Sequence, residues 1–117
     1  MALKNEVNMK LQKRVAAFVQ ANEMETDVAH RVLDLASEIG EVAKEVLKST
    51  RYGKTRFKRG ENWESELGDI LFSTICVANT TNVDLEKALV NVLTKYRRRI
   101  QNTKDAGSKQ KRGQSGE

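Results

Sequence analysis

The chain has 117 residues, of which 38% are hydrophobic and 32% charged, with a formal net charge of +5. That length suits one domain with a thin core and wide solvated faces. The lone Cys76 excludes an intrachain disulfide, and with His30 the only histidine the chain lacks the soft ligands of a structural zinc site. No apolar run approaches the roughly 20 residues that span a bilayer, and the first ten residues lack the apolar centre of a signal peptide. A cytoplasmic chain with no membrane partner is expected.

Proline is absent, and the apolar residues recur at helical steps through most of the sequence. Residues 3–22 read as a first helix, with Leu3, Val7, Leu11, Val15, Phe18 and Val19 on its apolar face. Thr26 or Asp27 can cap a second, running to about Leu47, whose stripe holds Val28, Val32, Leu35, Ile39, Val42, Val46 and Leu47. Beside that stripe lie Glu38, Glu41 and Glu45, a run of like charges that something positive should offset.

From Lys48 to Arg59 there are six basic side chains and no acid. Gly53 and Gly60 interrupt the helical pattern there, so the segment reads as a mobile basic loop, of a length typical of binding loops and lids. A third helix runs from about Glu61 to Thr80 with Trp63, Leu67, Ile70, Leu71, Ile75 and Val77 on its apolar side. Asn82 to Asp84 reads as a turn and cap. A fourth helix then extends to about Gln101 with Leu85, Leu89, Val92, Leu93, Tyr96 and Ile100. From Thr103 onward no large apolar residue occurs, so 103–117 is expected to be a disordered basic tail behind a domain of residues 1–102.

Two acid pairs carry the chemistry. Glu38 and Glu41 are three residues apart, as are Glu66 and Asp69, so on a helix each pair leaves one face about a turn apart. Singly, such pairs are the ordinary pattern of a solvated face. Each, however, has a glycine just before its second acid, Gly40 and Gly68, and a helical glycine costs about 1 kcal/mol relative to alanine. Close approach of the two helices is the simplest reason for it. Four carboxylates facing each other across a narrow gap would repel unless a hard divalent cation joined them.

The segment Leu35-Ala36-Ser37-Glu38-Ile39-Gly40-Glu41-Val42 followed by Glu66-Leu67-Gly68-Asp69-Ile70-Leu71 resembles the E-x-x-E and E-x-x-D signature of the MazG-like all-α nucleoside triphosphate pyrophosphohydrolases, a superfamily that includes all-α dUTPases and dCTP pyrophosphatases. Ala78-Asn79, Val83 to Leu89, Lys95 and Arg99 are similar to that family's downstream pattern. The resemblance implies Mg²⁺-dependent attack of water between the α and β phosphates, with Mn²⁺ as a substitute cation. Glu38, Glu41, Glu66 and Asp69 would hold the metal, and Glu41 or Glu38 would act on the water. Ser37 departs from the commonest motif, which has another glutamate there, and leaves the metal count and the base open.

Further substrate contacts are expected from Lys54 and Arg56 in the basic loop, Asn79, Lys95, Arg99 and Trp63. Each has a plainer alternative: a solvated charge run for the loop, a helix cap for Asn79, core or interface for Trp63. His30 reads as an exposed helix residue, Cys76 as a small buried hydrophobe and Tyr96 as core. The fold class is therefore an all-α, four-helix bundle, completed by a homodimer or homotetramer because the single-chain stripes are thin. The leading function is pyrophosphohydrolysis for nucleotide-pool cleaning. A helical nucleic-acid-binding or regulatory module without turnover is the alternative, in which the basic loop and tail make the contacts.

Overall fold

The computed structural model describes the backbone of residues 10–110 and the side chains of residues 10–104. These residues form four helices, α1 (Leu11–Ala21), α2 (Val28–Ser49), α3 (Trp63–Thr80) and α4 (Leu85–Gln110), with no strand among them. Residues up to Val83 make one packed unit and α4, from Asp84, a second. The expected start of the first helix, 3–9, lies outside the described residues.

In the first unit α3 is the central element, packing against both α2 and α1. A helix with neighbours on two sides needs apolar or small residues around much of its circumference, and Ser73, Ile75, Cys76 and Ala78 are buried accordingly. Val19 is the buried residue of α1, and Phe18 meets Phe72 edge to face at 6.3 Å. A second tie is polar. Gln12 Nε2 donates to Asn79 Oδ1 (3.0 Å) and to the Val83 carbonyl (2.8 Å), and Asn79 Nδ2 donates to the Gln12 carbonyl (3.0 Å).

Three helices end by the same device. Glu23, Arg51 and Asn82 take left-handed φ values of 52°, 52° and 58°. That reversal turns the next amide back on the helix: Met24 N bonds Val19 O at 2.9 Å, Tyr52 N bonds Leu47 O at 2.8 Å and Val83 N bonds Ala78 O at 2.9 Å. Carbonyls left free by the last turn are thereby satisfied. At the other end of α2, Asp27 Oδ1 accepts from His30 N at 2.9 Å and from His30 Nδ1 at 2.7 Å. Asp84 caps α4 by accepting from Lys87 N at 3.2 Å.

The α2–α3 connection is not free chain throughout. Thr50 Oγ1 donates to Val46 O (2.7 Å) and accepts from Gly53 N (3.1 Å), and Thr55 N bonds Thr50 O (2.9 Å). Its far end closes on α3 through the Phe57 and Trp63 rings, 4.9 Å apart.

Four expectations need correction. A Cβ built on Gly40 or Gly68 meets nothing within 4 Å, so neither glycine marks a close approach within the described chain. The face that α2 turns inward is not its most apolar stripe: Val28, Val32, Ile39 and Val46 are exposed, whereas Arg31 is buried and Leu35, Glu38, Val42 and Glu45 are partly buried. Tyr96 is exposed rather than core, with Lys95 Nζ 5.4 Å and the Arg99 guanidinium 5.8 Å from its ring centre. Finally, α4 continues past Asn102 to Gln110, into the segment expected to be disordered. No helix breaker follows Asn102 directly, and extending an existing helix adds a hydrogen bond for each residue fixed. Residues 111–117 lie outside the described residues.

Candidate metal centre

Packing α2 against α3 places Glu38 opposite the first two turns of α3. Glu38, Glu66 and Asp69 each present a carboxylate oxygen such that the three atoms lie within 4.8 Å of one another. Glu38 and Glu66 are partly buried and Asp69 is exposed, so the cluster has a sheltered floor and an open side. Glu41, one turn along α2, is exposed and stands outside this close group.

Glu66 carries the electrostatic strain. Its Oε1 is buried without a hydrogen-bond partner. Loss of hydration pushes its carboxyl above the ordinary value, and the charges of Glu41, Glu45, Asp69 and Glu38 push it further. These act against its place in the first turn of α3, where exposed helix amides favour an anion. A buried oxygen with no donor beside two other carboxylates is the donor set of a hard cation, which takes oxygen ligands and neutralises their repulsion. The residues thus fit a divalent metal.

The remaining predicted residues are distributed differently. Lys54 and Arg56 are exposed on the α2–α3 connection. Trp63 is partly buried at the start of α3 and occupied by Phe57. Both ends of the Asn79 amide are engaged by Gln12, so its observed role is to fasten α1 rather than to cap its own helix. Lys95 and Arg99 flank Tyr96 on α4. His30 is exposed and Cys76 buried, as expected; burial raises the Cys76 thiol pKa, which the nearby Arg31 opposes.

One buried charge was not singled out in the sequence. Arg31 is 7% exposed, and its side chain donates to the Met24 carbonyl at 2.6 Å. The signal available was its place seven residues before Glu38, which puts it on the same face of α2 two turns away.

No described helix is long and apolar enough to cross a membrane. A profile of the MazG nucleotide pyrophosphohydrolase domain matches residues 28–103. The chain is 40% identical over 68 residues to YpjD of Bacillus subtilis strain 168, a protein described as uncharacterized; the match takes in 56% of this chain and 60% of that one, so the chain spans less than two thirds of that relative's length. Among solved structures it is similar to the Bacillus-conserved MazG protein, a nucleotide pyrophosphohydrolase, with a TM-score of 0.61 and 37% identity over 74% of this chain and 84% of that one. It is also similar to the crystal structure of YpjD, there named a candidate pyrophosphatase, with a TM-score of 0.61 and 31% identity over 74% and 88%. With acids of both helices inside the matched span, the chain belongs to the MazG nucleotide pyrophosphohydrolase family.

Proposed function

We propose that this chain is a divalent-metal-dependent nucleoside triphosphate pyrophosphohydrolase, cleaving between the α and β phosphates to release a nucleoside monophosphate and pyrophosphate. The observation that carries this reading is the unpartnered buried Glu66 Oε1, gathered with Glu38 and Asp69 in a family whose named members act on nucleotides. Mg²⁺ is the cation proposed, with Mn²⁺ as substitute, because the donor set is all carboxylate oxygen. Once bound, such a cation neutralises phosphate charge and acidifies water.

Glu38, Glu66 and Asp69 hold that cation, and Glu41 completes the set from the next turn of α2. Glu41, exposed and close enough to raise the Glu66 pKa, is the residue proposed to accept the proton of the attacking water, with Glu38 the other candidate for that role. Lys54 and Arg56 contribute positive charge for the triphosphate from the connection. Trp63 is a further proposed substrate contact at the start of α3, and Asn79, its amide paired with Gln12, is one through the wall it forms. Nucleotide-pool cleaning is the physiological role this reaction serves, in the cytoplasm, where a single unpaired cysteine such as Cys76 stays reduced.

The site is proposed to be completed by a second copy, as a homodimer or homotetramer. Val32, Ile39 and Val46 recur every seven residues along α2 and are exposed. Between α1 and α3, Leu11, Val15, Phe18, Leu71 and Ile75 line a groove of about 420 Å³ that passes over Gly68. An exposed seam of heptad spacing and an apolar groove are each what a helix from another chain buries.

The deciding experiment is a screen of canonical and damaged ribo- and deoxyribonucleoside triphosphates with Mg²⁺, detecting monophosphate and pyrophosphate. Release of both from at least one triphosphate is expected. If no triphosphate is hydrolysed with any divalent cation, the reading is wrong.

A further inference from the structure

Beyond the metal cluster, α1, α3, the α1–α2 turn and the start of α2 border an open cavity of about 340 Å³ whose lining includes Val19, Glu25, Arg31, Cys76 and Asn79. That volume lies in the range of small-molecule sites. Its unusual member is Arg31, a buried guanidinium with five donors of which only one contact, to the Met24 carbonyl, is made. Among the described residues no carboxylate comes within ion-pair distance of Arg31, although Glu25 lines the same cavity. A buried charge left in this condition costs stability, and the cost is recovered when an acceptor occupies the remaining donors.

The cavity's position narrows the choice of acceptor. Arg31 precedes Glu38 by seven residues on α2, and Cys76 follows Asp69 by seven on the antiparallel α3. Seven residues are two helical turns, so each pair shares a face, and the two layers are separated by about 10 Å. The acids and Arg31 thus lie two turns apart on the facing sides of α2 and α3. That separation matches the reach of a nucleotide from its phosphates to the far edge of its base.

We infer that the Arg31 cavity takes the base of the nucleotide, and that Arg31 makes the site prefer bases carrying an oxo group at purine C6 or pyrimidine C4 over those carrying an amino group there. This rests on the proposed triphosphate reading for the orientation of the ligand. The chemistry is that of donor and acceptor matching. A guanidinium has donors only, so it pairs with a carbonyl oxygen, whereas an exocyclic amino group presents donors to donors and leaves the buried charge unsatisfied. Sites built on such pairing discriminate strongly, because the mismatched ligand buries polar groups without partners.

The test uses two pairs of substrates that differ in that substituent, ITP against ATP and UTP against CTP. For the full chain with Mg²⁺, kcat/KM should favour the oxo member of each pair by about tenfold or more, and Arg31→Met should bring the members to near equality, chiefly by raising KM for the oxo substrates. Arg31→Lys keeps a positive charge and a donor for Met24 O without the fork, and should lose part of the preference. Circular dichroism and thermal melts of both variants verify that the fold persists. Equal use of both members by the wild type, or an equal loss for both in Arg31→Met, overturns the inference.

Calorimetric binding of IMP and AMP in chelator separates this inference from the proposed reaction. IMP should bind more tightly than AMP, and the difference should vanish in Arg31→Met, whether or not triphosphates are hydrolysed. Absence of any difference overturns the inference. So does Arg31-dependent binding of inorganic phosphate alone, which would make the cavity an anion site.

Discussion

Asn79 and Gln12 hold each other by two hydrogen bonds of 3.0 Å, one from the Gln12 side chain to Asn79 Oδ1 and one from Asn79 Nδ2 to the Gln12 main chain. They are 67 residues apart in sequence, so this pair fixes where α1 lies on α3. Asn79→Ala removes both bonds and should lower stability by about 1–3 kcal/mol, read by urea denaturation. Were Asn79 occupied only with substrate, the unfolding curve of the free protein would not move.

Glu66 should show the opposite sign. In chelator, Glu66→Gln removes one negative charge from the group formed with Glu38, Glu41, Glu45 and Asp69 and should raise the melting midpoint, while abolishing hydrolysis. Mg²⁺ should raise the midpoint of the wild type by mass action and that of the variant much less. A wild-type midpoint indifferent to Mg²⁺ would remove the cation from this site.

Asp27 gives a pH dependence. Its hydrogen bond from the His30 amide, more than that from the imidazole, holds its carboxyl below the ordinary aspartate value of 3.8. A lowered folded-state pKa means that the contribution is fully present above 3.8 and is lost as pH falls through the lower folded value. The stability gap between wild type and Asp27→Ala should therefore be constant near neutrality and shrink only at the acid end. Chemical denaturation along a pH series measures it.

The two helical glycines separate the single chain from its proposed assembly. Gly40→Ala fills open space and should stabilise by about 1 kcal/mol through helix propensity. Gly68→Ala would gain similarly in an isolated chain, but its methyl would enter the groove proposed to receive a second copy. It should shift light-scattering mass downward. An unchanged mass together with added stability would place the interface elsewhere.

Much of this architecture was legible because helical periodicity is a strong signal: α2, α3 and the α4 core lie where their apolar spacing put them, and Asp27 caps where a cap was expected. Of the two acid pairs, Glu38, Glu66 and Asp69 come together as a common face requires, and Glu41 stands outside. The ends of the first three helices lie within two residues of their expected stops at Asn22, Leu47 and Thr80, whereas α4 runs on from Gln101 to Gln110. Helix faces were harder. The inward face of α2 was misjudged because it carries Arg31, Glu38 and Glu45, and apolar content ranks that face below the one holding Val32, Ile39 and Val46. Periodicity identifies stripes but does not say which of two stripes the same chain buries.

The unpartnered Oε1 of Glu66 bears on how this protein would respond to laboratory evolution. Random variants selected for heat resistance in the presence of a chelator would gain most easily by discharging the cluster, through neutral replacements at Glu38, Glu66 or Asp69. The survivors would be robust and inert. If the proposed cation binds, a selection run in millimolar magnesium would close that route, because each carboxylate would then strengthen the fold it otherwise strains.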